Sequence, residues 1–363
     1  MSALRSVYEG MESFLLVPSD TSRSGVSIHD AIDSKRIMSI VVIALLPALF
    51  FGMYNIGYQN YAAAGQVGTF WQLMGFGFLV LLPRIVVSYL VGLGIEFIFA
   101  QVKKEEIQEG YLVTGMLMPL ILPVETPLWM MAVAIAFAVI FAKEIFGGTG
   151  MNFVNVALVA RAFLFFSYPG KMSGDSVWVA NGPVCGLGHA LSDGFTCATP
   201  LSFVKGGEAI PGTTLGDMVT GLMPGSVGET SVIAILIGAA ILLWTGVASW
   251  KIMLSVFVGG GLTAFLFQAG GMTSVAWYEH LLLGGFCFGA VFMATDPVTS
   301  ARTETGKYIY GLLIGVVAIV VRVLNPGYPE GMMMAILLMN VFAPAIDYCV
   351  VQSNISRRRK RSM

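Results

Sequence analysis

Charged side chains are scarce in this sequence. Of its 363 residues, 11% are Asp, Glu, Lys or Arg and 56% are hydrophobic. About a quarter of the residues in an average soluble domain are charged, so the composition excludes an ordinary soluble protein and predicts a polytopic membrane protein. The formal net charge of −1 also lacks the positive excess typical of proteins that bind nucleic acid.

Patterns for binding metals or dinucleotides are also missing. The four cysteines have no C-x-x-C spacing and the three histidines have no ligand spacing. A metal or iron–sulfur centre held by this chain alone is therefore not expected. The run Gly147-Gly148-Thr149-Gly150 lacks the strand context and the acidic partner of a dinucleotide site, so a dinucleotide site is not expected either.

Long apolar runs divide the chain into regions. The first 36 residues carry charges throughout and no apolar run of signal-peptide type, which predicts a cytoplasmic segment at 1–36. Two hydrophobic halves, 37–167 and 230–351, flank a polar loop at 168–229. A basic tail at 352–363 ends the sequence.

Each hydrophobic half contains five runs, which predicts about ten transmembrane helices in an all-α integral membrane protein. The third run contains Pro119 and Pro123, which favours a broken or half-spanning element. The runs lie at 37–54, 74–101, 110–122, 127–146, 150–167, 230–247, 250–269, 279–295, 307–324 and 331–351.

The basic residues predict the orientation of these spans. With ten spans and both termini in the cytoplasm, most of the 20 Lys and Arg residues lie inside, and only Lys171 and Lys205 lie outside. The loop at 168–229 is then extracytoplasmic. Cys185 and Cys197 in that loop could form a disulfide there.

The two halves resemble each other weakly. Gly110-Tyr111 opens a run that ends in Pro119 and Pro123, and Gly285-Phe286 opens a run that ends in Asp296-Pro297. An apolar span and a junction rich in Gly or Asn follow each run. Because five spans is an odd number, such a repeat would be inverted, as in many transporters.

Ionisable residues in the apolar runs mark candidate functional positions because they are costly at membrane depth. Asp296 and Asp347 are two of them, although Asp296 could equally be a helix end exposed to water. Arg84 and Glu96 lie too far apart on one span to pair, so each needs another helix, water or a ligand. Lys143 and Glu144, adjacent in sequence, are interpreted as a plain surface pair.

Four separated motifs, in this order, carry a family resemblance. They are Lys143 to Asn155 continuing through Arg161 to Phe166, then Thr196-Cys197-Ala198-Thr199, Phe292 to Pro297, and Asn325 to Met333. With them the chain closely resembles the B subunit of the sodium-translocating NADH:ubiquinone reductases, from about residue 35 to the end. The D subunit of the Rnf complex shares the general plan but matches less well at Gly147 to Gly150 and around Arg161.

The resemblance implies a covalent flavin on Thr199. Taken alone, Thr199 is typical of an ordinary loop threonine, but it matches the residue that carries FMN through a phosphoester bond in the resembled family. An extracytoplasmic FMN transferase would attach it, in agreement with the predicted side of the loop. Cys197 stands where the family usually has glycine.

A second, non-covalent flavin, riboflavin, is implied at Asn152 and Asn155. Their amides can donate to and accept from a flavin, and their spacing of three would put both on one helix face. The alternative is that they cap and hydrogen-bond the cytoplasmic end of a span. Val156 replaces a proline common in the family. Arg161 and Arg322 are interpreted either as partners of a flavin phosphate or reduced flavin, or as buried partners of acidic residues.

The resemblance also implies a quinone site and a cation path. It places quinone near Gly92, Gly94 and Glu96, where small residues would let a flat ring approach the backbone, although Leu93 replaces a second usual glycine. Asp296 and Asp347 match acidic positions that the family associates with sodium uptake, and carboxylate oxygens suit Na⁺.

The function implied is that of a membrane component of a complex in the bacterial inner membrane, relaying electrons through covalent FMN and riboflavin to ubiquinone, coupled to Na⁺ export. No catalytic residue is assigned. The implied partners are a flavin-bearing C subunit, an NADH-oxidising F subunit and the membrane-bound D and E subunits. Two alternatives are a component of an Rnf-type ferredoxin:NAD oxidoreductase and a flavin-free channel or transporter for a small solute.

Overall fold

The computed structural model describes residues 25, 34–103, 110–191, 197–206, 214–325 and 330–362. These residues form helices and connecting loops, and no β-sheet occurs among them. The expected cytoplasmic segment 1–36 lies almost wholly outside the described residues. Thr196 and residues 326–329 of the family motifs also lie outside them.

Among the described residues of the first half, 34–103 and 110–167, there are five helices. The fourth begins directly after Pro127, whose extended backbone lies outside the helix. It continues beyond its regular part as a π-helical turn, Val139–Lys143, and a 3-10 turn, Glu144–Phe146. The helices are α1 Ser34–Ala63, α2 Phe70–Lys103, α3 Tyr111–Ile121, α4 Leu128–Ala138 and α5 Val156–Ser167.

The described part of the central loop, 168–191, 197–206 and 214–229, contains three short helices: α6 Pro169–Met172, α7 Pro200–Gly206 and α8 Leu215–Thr220. α8 has a capping box, in which the side chain of Thr214 accepts from the backbone N–H of Asp217 and the Asp217 carboxylate accepts in return. The Thr214 hydroxyl and the Thr214 N–H both donate to the Asp217 carboxylate and lower the pKa of this carboxyl.

In the second half, where the structure describes 230–325 and 330–362, there are six helices. The span expected at 279–295 is broken into two short helices followed by a π-helical turn, Gly289–Met293. Gly284, with a positive φ of 66°, allows the break between the two short helices. The helices are α9 Val232–Trp244, α10 Trp250–Ala269, α11 Trp277–Leu282, α12 Phe286–Phe288, α13 Glu304–Leu324 and α14 Met332–Ser362.

Glycines let α10 and α13 pack with their backbones in contact. A Cβ added to Gly259 would lie 2.4 Å from the Leu312 carbonyl oxygen, and a Cβ added to Gly315 would lie 2.3 Å from the Val256 carbonyl oxygen. Close backbone approach at small residues is the usual basis of helix association in membranes, where hydrophobic burial gives little drive.

The prediction of an all-α membrane protein is confirmed. In the part of the chain that the structure describes, six helices are long and apolar enough to cross a membrane, and three apolar helices are shorter: α3, α5 and α9. The count of ten spans, the inverted repeat and the regional boundaries remain predictions. Every apolar run nevertheless overlaps at least one helix.

Candidate functional site

A cavity of about 780 Å³, its open mouth included, lies where the two halves meet. We call it the junction cavity. Apolar side chains and a few polar groups line it, the polar groups being Thr114, Lys143, Thr149, Asn152, Asn155, Thr295 and Asp296.

Asn152 and Asn155 both line the junction cavity, but not from a helix face. α5 begins only at Val156, so both residues precede it, and the prediction that they share one helix face is wrong. Glycines with positive φ, Gly147, Gly148 and Gly150, form the turns that lead to them. Because of these turns, α5 begins later in the sequence than the apolar run at 150–167.

Asn155 has two structural contacts. Its side-chain oxygen accepts from the Leu158 N–H at 3.2 Å, which caps α5 as the alternative interpretation expected. Its amide nitrogen donates to the Asp296 carboxylate at 3.4 Å. Asn152 donates to the Val154 carbonyl at 3.1 Å. The tertiary structure thus brings Asp296 beside the candidate riboflavin residues.

Both π-helical turns end at the junction cavity. Lys143 is the last residue of the first turn, and Asp296 lies three residues after the second. π-Helical turns are rare and often occur at functional sites. Asp296 is held in place by the Val298 N–H at 3.0 Å and the Thr299 hydroxyl at 3.1 Å. One basic residue, Lys143, and one acidic residue, Asp296, therefore line the cavity.

The interpretation of Lys143 and Glu144 as a surface pair is wrong. Both are buried, with 4% and 8% of their surface exposed. Lys143 donates to Glu96 on α2, and Glu144 accepts from Lys103 on α2 at 3.1 Å. We call these two contacts the crossed pairs. Of the partners expected for Glu96, which were another helix, water or a ligand, the structure supplies a residue of another helical segment. Arg84 instead donates to the Val80 carbonyl of its own helix at 2.8 Å.

Thr199 lies immediately before α7, where its carbonyl accepts from the Ser202 N–H at 2.9 Å and the Ser202 hydroxyl at 2.7 Å. Its own hydroxyl makes no hydrogen bond to the described residues. Thr199 lines two cavities of about 370 and 510 Å³, which also share Trp178, Leu201 and Glu330. We call these two the loop cavities.

A buried charge cluster lies beside Thr199. Arg161 on α5 donates to Glu229 at 2.5 Å and to Glu330. These contacts agree with the interpretation of Arg161 as a buried partner of acidic residues. Arg161 also lines one of the loop cavities. Arg322 donates to the His280 carbonyl of the broken segment.

The two loop cysteines are free thiols. Cys185 is exposed, and Cys197 is half-buried with its N–H donating to the Asp175 carbonyl at 2.9 Å. Burial, with a smaller contribution from the Asp175 charge, raises the pKa of the Cys197 thiol. A smaller fraction of Cys197 is therefore thiolate at neutral pH than for an ordinary cysteine.

The junction and loop cavities lie at opposite ends of the same helix. Glu229 and Thr230 at the start of α9 line a loop cavity, and Leu242 and Val247 at its end line the junction cavity. α9 has 13 residues, which corresponds to about 20 Å at ~1.5 Å per residue.

The region expected to hold quinone has one closed and one open glycine. A Cβ on Gly92 would lie 1.8 Å from the ring of Tyr111, so this chain's own aromatic ring occupies that face. Around Gly94, apart from the nearby backbone of its own helix, no atom of the described residues lies within 4 Å of such a Cβ. Of these two glycines, Gly94 is therefore the one that leaves space for a further flat ring.

Asp347 lies at a different position from Asp296. Its carboxylate accepts from the Arg302 N–H at 2.7 Å, the Thr303 N–H at 3.0 Å and the Thr303 hydroxyl at 2.6 Å. These contacts fix the loop that precedes α13. Asp347 is not among the residues that line the junction cavity.

The fold and these cavities define a multi-pass, all-α membrane protein with polar pockets between its helices. The chain matches the NQR2, RnfD, RnfE family over residues 21–356, and it belongs to that family. The expected resemblance is thereby confirmed.

Individual relatives match along nearly their whole length. The B subunit of the Na⁺-translocating NADH-quinone reductase of Chromohalobacter salexigens is 46% identical over 98% of this chain and 91% of the relative. The proteins of the same name from Pseudomonas paraeruginosa and Klebsiella pneumoniae are each 44% identical over 98% of this chain and 94% of the relative.

Sequence reasoning missed three site residues. Lys143 was assigned to the surface because its neighbour has the opposite charge. Glu229 lies just before the apolar run of α9, and Glu330 lies within a quoted motif, but neither was singled out. An acidic residue bordering an apolar span was the available signal, since such a residue needs a partner when it is buried.

Proposed function

We propose that this chain is the membrane-bound B subunit of a Na⁺-translocating NADH:quinone reductase, and that it relays electrons from covalent FMN on Thr199, through riboflavin in the junction cavity, to ubiquinone. The observation that carries the proposal is the placement of the loop cavities and the junction cavity toward opposite ends of α9. Thr199 lines both loop cavities, and Asn152 and Asn155 line the junction cavity. The relatives named above support it.

The loop cavities fit a phosphoester-linked flavin. Thr199, whose hydroxyl makes no hydrogen bond to the described residues, lines both loop cavities, and so does the aromatic side chain of Trp178. Arg161 supplies a positive charge beside the acidic Glu229 and Glu330, so an added phosphate would not meet carboxylates alone. Bound flavins supply one- and two-electron transfer, and a covalent link prevents their loss.

The junction cavity fits a neutral flavin without a phosphate. Its lining includes amide, hydroxyl and ammonium donors, together with amide and carboxylate acceptors. Lys143 and Asp296 contribute charges of opposite sign, so the lining does not favour a charged ligand. Riboflavin, unlike FMN, matches this balance.

Contacts near the junction cavity and on α2 also support proposed sites for the cation and for quinone. Asp296, the proposed Na⁺ ligand, lies within hydrogen-bond distance of Asn155, one of the two residues proposed for riboflavin. Asp347, which holds the loop before α13, would be a second acidic residue on the proposed cation path. Ubiquinone would bind on the Gly94 side, near Glu96, because Tyr111 fills the Gly92 side.

The complex would supply what this chain lacks. NADH oxidation belongs to an F subunit and electron delivery to a flavin-bearing C subunit, with the D and E subunits completing the membrane part. We place the complex in a bacterial inner membrane, with both termini of this chain in the cytoplasm and the loop at 168–229 facing outward, where the transferase acts.

The test is in-gel flavin fluorescence of the chain isolated from a host that has the transferase. We expect a fluorescent band that Thr199→Ala abolishes and that Thr220→Ala, a control in the same loop, leaves intact. Intact-mass spectrometry should show the added mass of one FMN. An unmodified wild-type mass would contradict the proposal and favour the flavin-free transporter.

A further inference from the structure

Of the two crossed pairs, the Lys143–Glu96 pair alone connects α2 to the junction cavity, through the side chain of Lys143. Lys143 both lines that cavity and donates to Glu96, whereas Lys103 joins the same two helical segments through Glu144 and does not line the cavity. The two lysines have similar chemistry and similar partners. They differ in their access to whatever the cavity binds.

Lys143 and Glu96 both have hydrogen-bonding groups that their contact with each other does not use. Glu96 is 5% exposed, and its second carboxylate oxygen has no hydrogen-bond partner among the described residues. An ammonium has three N–H donors, and within the described chain Lys143 uses one, toward Glu96. The remaining donors belong to a side chain on the cavity wall.

We propose that Lys143 is a positioning residue that couples the junction cavity to Glu96, its ammonium being shared between the Glu96 carboxylate and a hydrogen-bond acceptor on the cavity's ligand. The ligand class is an uncharged heteroaromatic ring system rich in carbonyl and ring-nitrogen acceptors. This inference rests on the proposed riboflavin in that cavity and adds the means by which the flavin site and the Glu96 segment influence each other.

The physical reason is the division of one positive charge. While Glu96 is ionised, its carboxylate compensates much of the Lys143 charge, and the ligand sees a weak donor. When the Glu96 charge is removed, the ammonium acts more strongly on the cavity, and the ligand binds more tightly. Thermodynamic linkage requires the reverse effect too, so a bound ligand weakens the hold of Lys143 on Glu96.

The experiment measures riboflavin on the purified complex, as acid-extractable riboflavin per complex and as the Kd for riboflavin added back after extraction. Lys143→Met should raise the Kd roughly 10- to 100-fold, the range expected for a lost hydrogen bond to a charged group. Lys143→Arg should restore most of the affinity. Lys103→Met, the matched control, should leave the Kd unchanged.

The sign of the Glu96→Gln effect separates coupling from a structural role. If Lys143 acts as proposed, Glu96→Gln lowers the Kd, and Lys143→Met then raises it by a larger factor than in the wild type. If the pair only braces the helices, Glu96→Gln and Lys143→Met both reduce riboflavin. That result, or equal Kd values for Lys143→Met and Lys103→Met, would overturn the coupling.

Two further outcomes are decisive. Should Lys143→Met fail to assemble, the comparison of Glu96→Gln with the double variant Glu96→Gln/Lys143→Met decides, since the double variant leaves no unpaired charge at this pair. A wild-type complex that neither contains nor takes up riboflavin would remove the proposed function of the cavity and the coupling with it. If the wild type contains riboflavin but Glu96→Gln raises the Kd for it, the coupling is excluded and the proposed function of the cavity stands.

Discussion

Single ionisable residues buried between the helices bind partners from distant parts of the chain. Arg161 pairs with Glu229 and Glu330, and Lys143 pairs with Glu96. Removing one member of a buried pair typically costs about 3–5 kcal/mol, because the other charge stays behind without compensation. Substitutions that keep the shape and change only the charge are therefore the informative ones at this scale.

Asp296 offers such a substitution. Asp296→Asn keeps the oxygen that accepts from the Val298 N–H, replaces the oxygen that accepts from the Thr299 hydroxyl by an NH₂ group, and removes the charge that would attract Na⁺. We expect the Na⁺ concentration for half-maximal turnover to rise roughly tenfold, equivalent to about 1.4 kcal/mol of cation binding. Flavin content should change much less. Turnover as a function of Na⁺ and flavin content per complex are the two measurements.

Asp217 provides the matched control, since it is also an aspartate hydrogen-bonded to a threonine hydroxyl three residues away. Asp217→Asn should leave sodium activation as in the wild type. Unchanged sodium activation in Asp296→Asn would remove Asp296 from the cation path.

At the scale of elements, helix contacts depend on where glycine stands along each helix. α10 contains the run Gly259, Gly260 and Gly261, but only the first two meet neighbouring groups at less than 3 Å if a Cβ is added. At Gly261 the nearest atom would be 3.6 Å away, an ordinary contact. Adjacent glycines in one helix thus have different roles.

This difference predicts opposite outcomes for two alanine substitutions. Gly259→Ala forces a methyl group against the Leu312 backbone of α13 and should lower stability by about 1–3 kcal/mol, the usual range for overpacking. Gly261→Ala should be neutral or stabilising, because alanine favours helix by roughly 0.8–1.0 kcal/mol over glycine. Thermal unfolding of the complex in detergent measures both. Equal melting temperatures would contradict the packing described for α10 and α13.

At the scale of the whole molecule, the arrangement of the two cavities gives the chain a direction across the membrane. The loop cavities lie at one end of α9 and the junction cavity at the other. The distribution of basic residues predicts that the loop end faces outward. Electrons would then move between the two faces of the membrane within this one chain.

Labelling of Cys185 tests that direction. Its exposed thiol should react with a membrane-impermeant maleimide in intact spheroplasts, and Cys185→Ala should remove most of the label. Cys197 should react more slowly, and its rate should rise over a higher pH range, because the raised pKa of its thiol delays formation of the reactive thiolate. Labelling that appears only after lysis would place the loop on the cytoplasmic side.

The sequence by itself determined the features that depend on neighbouring residues. The apolar runs indicated the helical membrane regions, since crossing hydrocarbon requires a local stretch of apolar side chains. Pro119 and Pro123 marked the short α3, and the four motifs identified the family.

Only the tertiary structure decided which polar groups meet. Lys143 and Glu144 are neighbours in sequence, yet each pairs with a different residue of α2. Asn155 meets Asp296, and Arg161 meets Glu330, across the two halves of the chain. The physical reason is that a buried charge must be compensated by whatever group packing brings within a few ångströms. Packing between helices depends on the whole chain at once.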